Sequence, residues 1–103
     1  MYKLRGKIKD HNTEDIETAK GQFKKMTFII EEKDTGFEHN YQFEIFGAEA
    51  IALHEDKIEI DKLVTVHFYI KAREYNGRYY NTLMVKSLME DINHTMDNIP
   101  FAD

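Results

Sequence analysis

The dipeptide Asn76-Gly77 sits between two runs of alternating apolar and polar residues, and this places the strongest constraint on the fold. A type I′ turn needs positive φ at both central residues, which Asn and Gly accept at low cost. The flanking runs therefore predict an antiparallel hairpin. On the N-terminal side, residues 63–73 set Val64, Val66, Phe68 and Ile70 on one face, with Thr65, His67, Tyr69, Lys71 and Arg73 on the other. On the C-terminal side a strand is expected over about 78–89. Three more segments show the same period of two, which marks half-buried strands. Residues 2–9 alternate Tyr2, Leu4, Gly6 and Ile8 with Lys3, Arg5, Lys7 and Lys9. Residues 22–32 align Met26, Phe28 and Ile30, leaving Phe23 beside Lys25 and Thr27 on the other side. Residues 39–46 align Tyr41, Phe43 and Ile45 against Gln42, Glu44 and Phe46.

Between these strands, residues 10–21 are polar and contain Gly21, so a loop is expected there, and Lys33-Asp34-Thr35-Gly36-Phe37 reads as a turn. Gly47 ends the third strand. The following Ala-Glu-Ala-Ile-Ala-Leu-His-Glu stretch has helix formers, with Ala48, Ile51 and Ala52 on one expected helical face. The order is three strands, a short helix and two strands. This is the order of the OB-fold, a five-stranded all-β Greek-key barrel with a short helix between the third and fourth strands. The expected domain covers residues 1–89. Residues 90–103 lose strand periodicity, hold the single proline, Pro100, and are expected to form a flexible acidic tail.

With 103 residues, 42% of them hydrophobic, the chain can bury one core. The absence of cysteine excludes disulfides and thiolate metal sites. His11, His39, His54, His67 and His94 are scattered without metal-ligand spacing, so no metal site is expected. The sequence contains no phosphate-binding glycine loop, nucleophile elbow or zinc-protease helix, and neither an enzyme nor a cofactor is expected. The opening Met-Tyr-Lys-Leu-Arg-Gly-Lys-Ile-Lys-Asp has no apolar signal core, and no apolar run reaches membrane-spanning length; the expected address is the cytoplasm, with no membrane partner. The net charge of −5 is unfavourable for a nucleic-acid binder. Yet Glu90, Asp91, Asp97 and Asp103 fall within 90–103, where no Lys or Arg occurs. Without those four of its 19 acids, the chain is nearly balanced against its 14 basic residues.

An OB barrel binds nucleic acid on its second and third strands and with the loops joining strands one to two and four to five. A single strand requires cations for its phosphates and exposed rings for its bases. Phe23 with Lys24 and Lys25, Phe46, Tyr69 with Lys71, and Arg73, Tyr75, Arg78 and Tyr79 around the hairpin fall on those elements, and Lys7 in the basic stripe of the first strand extends the path. Each has an alternative reading. Phe23 and Phe46 are equally compatible with the core, the first-strand lysines with an ordinary solvated face, and the tyrosine hairpin with a protein interface. The rival function is thus a protein–protein interaction module of the same fold.

Phe43-Glu44-Ile45-Phe46-Gly47, followed by Ala-Glu-Ala, resembles the third-strand stretch of bacterial single-stranded DNA-binding proteins, and residues 60–75 resemble their fourth strand; the likeness spans roughly residues 40–85. It implies that Phe46 stacks on a base and that Tyr75 stands near the family's hairpin tryptophan. Arg73-Glu74-Tyr75-Asn76-Gly77-Arg78-Tyr79-Tyr80 and Phe23-Lys24-Lys25 are similar to signatures of small, functionally uncharacterised OB-fold proteins related to that family, with Tyr79 in place of their usual Trp. Asp97-Asn98-Ile99-Pro100-Phe101 resembles the acidic tip by which these binding proteins recruit replication, recombination and repair enzymes, although here Ala102 and Asp103 follow the Phe. The resemblance implies single-stranded DNA as partner, assembly into homo-oligomers and docking through Asp97, Ile99, Pro100 and Phe101. Nothing in the residues themselves separates DNA from RNA.

Overall fold

The computed structural model describes residues 1–34 and 37–90, without the side chains of 33 and 34. The expected tail, including Asp97, Ile99, Pro100 and Phe101, lies outside the described residues. The elements run β1 Tyr2–Thr18, β2 Gly21–Asp34, β3 Phe37–Phe46, α1 Ala48–His54, a 3-10 turn Glu55–Lys57, β4 Leu63–Tyr75 and β5 Arg78–Glu90. The strands close into a barrel in the order β1-β2-β3-β5-β4. β1 pairs antiparallel with β4 through its first half and with β2 through its second. A short parallel contact, Phe43 to Leu83 and Glu44 to Met84, closes the ring between β3 and β5. This is the expected OB-fold. Among the described residues, no helix is long and apolar enough to cross a membrane.

The inward faces are those set by the alternation. Ile8, Phe28, Ile30, Phe43, Val64 and Val66 are fully buried, with Met26, Ile45 and Leu88 beside them. Phe43 lies 5.5 Å from Phe28 and meets Phe68 edge-on at 5.0 Å, so three rings fill the centre of the barrel. Ile51 of α1 and Ile58 beyond it complete this core.

Barrel closure depends on Gly6. β1 leaves β4 for β2 here, and a Cβ on Gly6 would lie 2.6 Å from Ile30 Cγ2 and 2.7 Å from the Glu31 carbonyl oxygen. No larger residue fits unless the strands separate. The crossing is fixed by Ile8 N–H donating to the Lys62 carbonyl (3.0 Å) and Asp61 N–H donating to the Ile8 carbonyl (2.7 Å). A bulge at Lys9 then re-aims β1 along β2.

Three expectations require correction. Residues 10–21 are not a loop: β1 continues to Thr18 and pairs with β2 as far as Thr18 opposite Gly21. Both faces of this extension are mostly exposed, so no apolar side revealed the period, while the backbone ladder needs none. Ile70 does not face the core but is 46% exposed, because β4 has run past its last pair with β1, Tyr2 opposite Phe68, while β5 still meets β3 at Leu83; beyond that level β4 and β5 continue as a two-stranded arm. In α1 the packed face is Ile51 with Ala50, while Ala48 and Ala52 are exposed. At the arm's tip, Asn76 and Gly77 have φ of 52° and 80°, as the turn type demands.

Candidate nucleic-acid interface

Directly opposed residues on antiparallel neighbours project from the same side of the sheet. The ladders therefore define the outer surface of the barrel. Phe28, Phe43 and Leu83 point inward, so Thr27, Glu44 and Met84, each one residue on or back, form an outer row that continues to Asn12 on β1 and Tyr69 on β4. One step along, Glu14, Lys25 and Phe46 form a second row, and Ile16 with Phe23 a third. On the arm, Lys71 opposite Thr82, Arg73 opposite Tyr80 and Tyr75 opposite Arg78 keep the parity of Tyr69. One continuous sheet face thus carries Phe23, Lys25, Phe46, Tyr69, Lys71, Arg73, Tyr75 and Arg78.

The rings on this face are not absorbed by the core. Phe46 is 40% exposed, Tyr69 44% and Tyr75 68%. Phe23 is half-buried and leans on Phe46, with centroids 5.3 Å apart and planes at 34°. The pair forms a two-ring apolar platform at the end of β3. Its position is set by Gly47, whose φ of 104° turns the chain from β3 into α1 and whose N–H donates to the Lys24 carbonyl at 2.8 Å. The cations of this face, Lys25, Lys71, Arg73 and Arg78, form no ion pair with a described residue. Their charge is available to an incoming anion.

Three expected site residues lie elsewhere. Lys24 has the parity opposite to Phe23, and its Nζ lies 3.5 Å from Asp15 Oδ1. Lys7 pairs with Glu31 and Leu63 and lines a recess with Arg5, Glu32 and Asp61, on the β1–β4 side of the barrel and away from Phe46. Tyr79 stands opposite Glu74, on the reverse face of the arm from Tyr75 and Arg73. The face also includes Ile16, Thr27, Glu44 and Tyr80, together with Met84, which shares their parity but is buried; sequence reasoning did not assign these to it. Glu44 shares the parity of Phe46, a signal available in the alternation of β3. Tyr80 was signalled by the Asn76-Gly77 turn, whose two-residue loop sets Tyr80 opposite Arg73.

Glu44 stands out electrostatically. It is half-buried at the centre of the face, and its Oε1 is covered without a hydrogen-bond partner.

The chain resembles several solved single-strand binders in architecture. Against the small single-stranded DNA-binding protein of Streptomyces coelicolor the TM-score is 0.53 at 12% identity, covering 90% of this chain and 93% of that one. Against the single-stranded DNA-binding domain of a Synechococcus protein it is 0.59 at 13% identity, covering 86% and 92%. Against the mitochondrial single-stranded DNA-binding protein of S. cerevisiae it is 0.57 at 15% identity, covering 86% and 91%. At such identities the likeness establishes the shared OB-fold. No curated protein sequence is significantly similar to this chain. Residues 3–87 match the family described as Domain of unknown function (DUF3127), and the chain belongs to that family.

Proposed function

We propose that this protein is a non-catalytic, sequence-tolerant binder of single-stranded DNA, acting in replication, recombination or repair. The observation that carries the proposal is the single outer face on which the Phe23–Phe46 platform, Tyr69 and Tyr75 stand among four cations that pair with no described residue. Bases stack on the rings, each worth about 1–3 kcal/mol, and any base suffices because each has a π-face. The phosphates follow Lys25, Lys71, Arg73 and Arg78. Likeness to solved proteins that bind single-stranded DNA supports the choice of DNA. Single-stranded RNA offers the same rings and charges and is the competitor to test. Recruitment of replication or repair enzymes through Asp97, Ile99, Pro100 and Phe101, and assembly into homo-oligomers, belong to the same proposal.

The direct test is titration of the tyrosine fluorescence with oligothymidine at low salt. Saturable binding is expected, and its absence removes the proposal.

A second reading is favoured by the reverse face of the arm. Tyr79 is 71% exposed and Ile70 46%, and Tyr2, 57% exposed, stacks on Phe68 at the arm's base. Such rings on a side lacking Lys71 and Arg73 suit a protein partner better than a nucleic acid. Loss of a protein partner on Tyr79→Ala, in a chain that binds no oligonucleotide, would favour an interaction module.

A further inference from the structure

Glu44 is out of place on a surface built only for phosphates. It lies between Thr27 on β2 and Met84 on β5, two residues along β3 from Phe46, with Tyr69 two strands away in the same row. Its Oε1 is covered by the protein and accepts no hydrogen bond. Buried polar atoms in native proteins nearly always have partners, and an ionised carboxylate can only accept. A negative charge at the centre of the path repels phosphates, so the strand must turn its bases, not its backbone, toward this point. Residues two apart on a strand are separated by about 6.6 Å, and strands by about 4.8 Å. A base stacked on Phe46 therefore carries its polar edge over Glu44. The residue is only half-buried, so its other carboxylate oxygen, Oε2, is the one approached from solvent.

We infer that Glu44 reads the base stacked on Phe46 by accepting a hydrogen bond from an exocyclic amino group, giving the protein a preference for cytosine over thymine. The inference rests on the proposed single-strand binding. Cytosine presents its N4 amino group as a donor, the partner expected for Glu, whereas thymine presents the O4 acceptor at that position. The N3–H of thymine lies between two carbonyl oxygens, both of which repel a carboxylate. The donor also compensates a charge whose covered oxygen receives nothing from the protein, and such charge-assisted bonds are among the stronger ones. Stacking alone gives no such choice, because the two pyrimidines offer rings of equal size.

The test compares short oligodeoxycytidine and oligothymidine strands of one length, bound at low salt and pH 7.5 to the wild-type chain and to Glu44→Gln. The amide keeps the shape and removes the charge. The wild type should bind oligodeoxycytidine about five- to tenfold more tightly, one tenfold step corresponding to 1.4 kcal/mol. In Glu44→Gln the ratio should fall to about twofold or less. A strand of N4,N4-dimethyldeoxycytidine, which stacks but cannot donate, should bind the wild type no better than oligothymidine does; this arm needs no variant and holds even if Glu44→Gln fails to fold. Equal affinity of the wild type for the two natural strands overturns the inference and leaves single-strand binding standing. So does a preference that survives in Glu44→Gln or with the dimethylated base. If neither natural strand binds, the single-strand reading fails and this inference fails with it.

Discussion

Replacing Phe46 with alanine separates a stacking ring from a structural one. The side chain is 40% exposed, and its covered part rests on Phe23 at 5.3 Å. Two effects follow, and their sizes can be estimated separately. Losing the ring pair costs about 0.5–1.5 kcal/mol beyond the area involved. At about 4–8 °C per kcal/mol for a domain of this size, the ring-pair loss alone lowers the melting temperature by about 2–12 °C, the lost buried area adds to this, and the fold should persist at 25 °C. Losing one stacked base costs about 1–3 kcal/mol of binding, which at 1.4 kcal/mol per tenfold weakens the affinity for oligothymidine by about 5- to 150-fold. The slope of log K against log salt should not change, because Phe46 neutralises no phosphate. Phe46→Leu provides the control: it keeps apolar bulk against Phe23 but has no π-face, so it should melt close to the wild type and still bind weakly. The assay is fluorescence titration of each variant, with circular dichroism verifying the fold. A folded Phe46→Ala chain that binds oligothymidine as the wild type does would refute the stacking role.

Tyr75→Ala should weaken oligothymidine binding about fivefold or more, while Tyr79→Ala, on the reverse face of the arm, should leave it unchanged; the same titration decides, and the opposite order would mean that the wrong face was assigned. Gly6→Ala forces a Cβ against Ile30 Cγ2 and the Glu31 carbonyl, at 2.6 and 2.7 Å, and should cost about 1–3 kcal/mol; a melting temperature equal to that of the wild type would contradict the strand crossing described. Burial, with a smaller contribution from Lys57, holds His54 below its ordinary pKa of 6.5 against an opposing pull from Asp56, and its Nδ1 has no partner. The unfolded chain therefore takes up the His54 proton first as pH falls through 6.5, and the stability present above that pH is lost on acidification. Urea midpoints at pH 7.5 and 5.5 should fall further for the wild type than for His54→Gln, and equal falls would contradict this.

The barrel was readable because β1 to β5 each bury one face, and a buried face imposes period two on the residues. Phe28 and Phe43 could only point inward, and Asn76-Gly77 could only turn. The same rule explains the failure at residues 10–18. That half of β1 buries little on either side, so it carries no alternation, and only its ladder with β2 reveals it as a strand. Ile70 misled for the converse reason: it keeps the inward parity of Phe68 after the sheet has run past the core. The candidate site was half legible. Parity along one strand places Phe46 outside the core and Lys25 beside Phe23. Membership of one face across four strands depends on register, and the sequence contains no sign that Phe43 meets Leu83 or that a β5 bulge falls at Lys86. Within single elements the signals were present: the two-residue Asn76-Gly77 turn puts Tyr80 rather than Tyr79 on the face of Tyr75, and the alternation of β3 puts Glu44 on the face of Phe46.

The most direct measurement is the affinity for oligothymidine as a function of salt. Each phosphate neutralised contributes about −0.7 to the slope of log K against log salt, so engagement of Lys25, Lys71, Arg73 and Arg78 predicts a slope near −3. Arg73→Ala should make it shallower by about 0.7. Binding that ignores salt, or no binding at the lowest salt used, would contradict the claim that this face holds a single strand of nucleic acid.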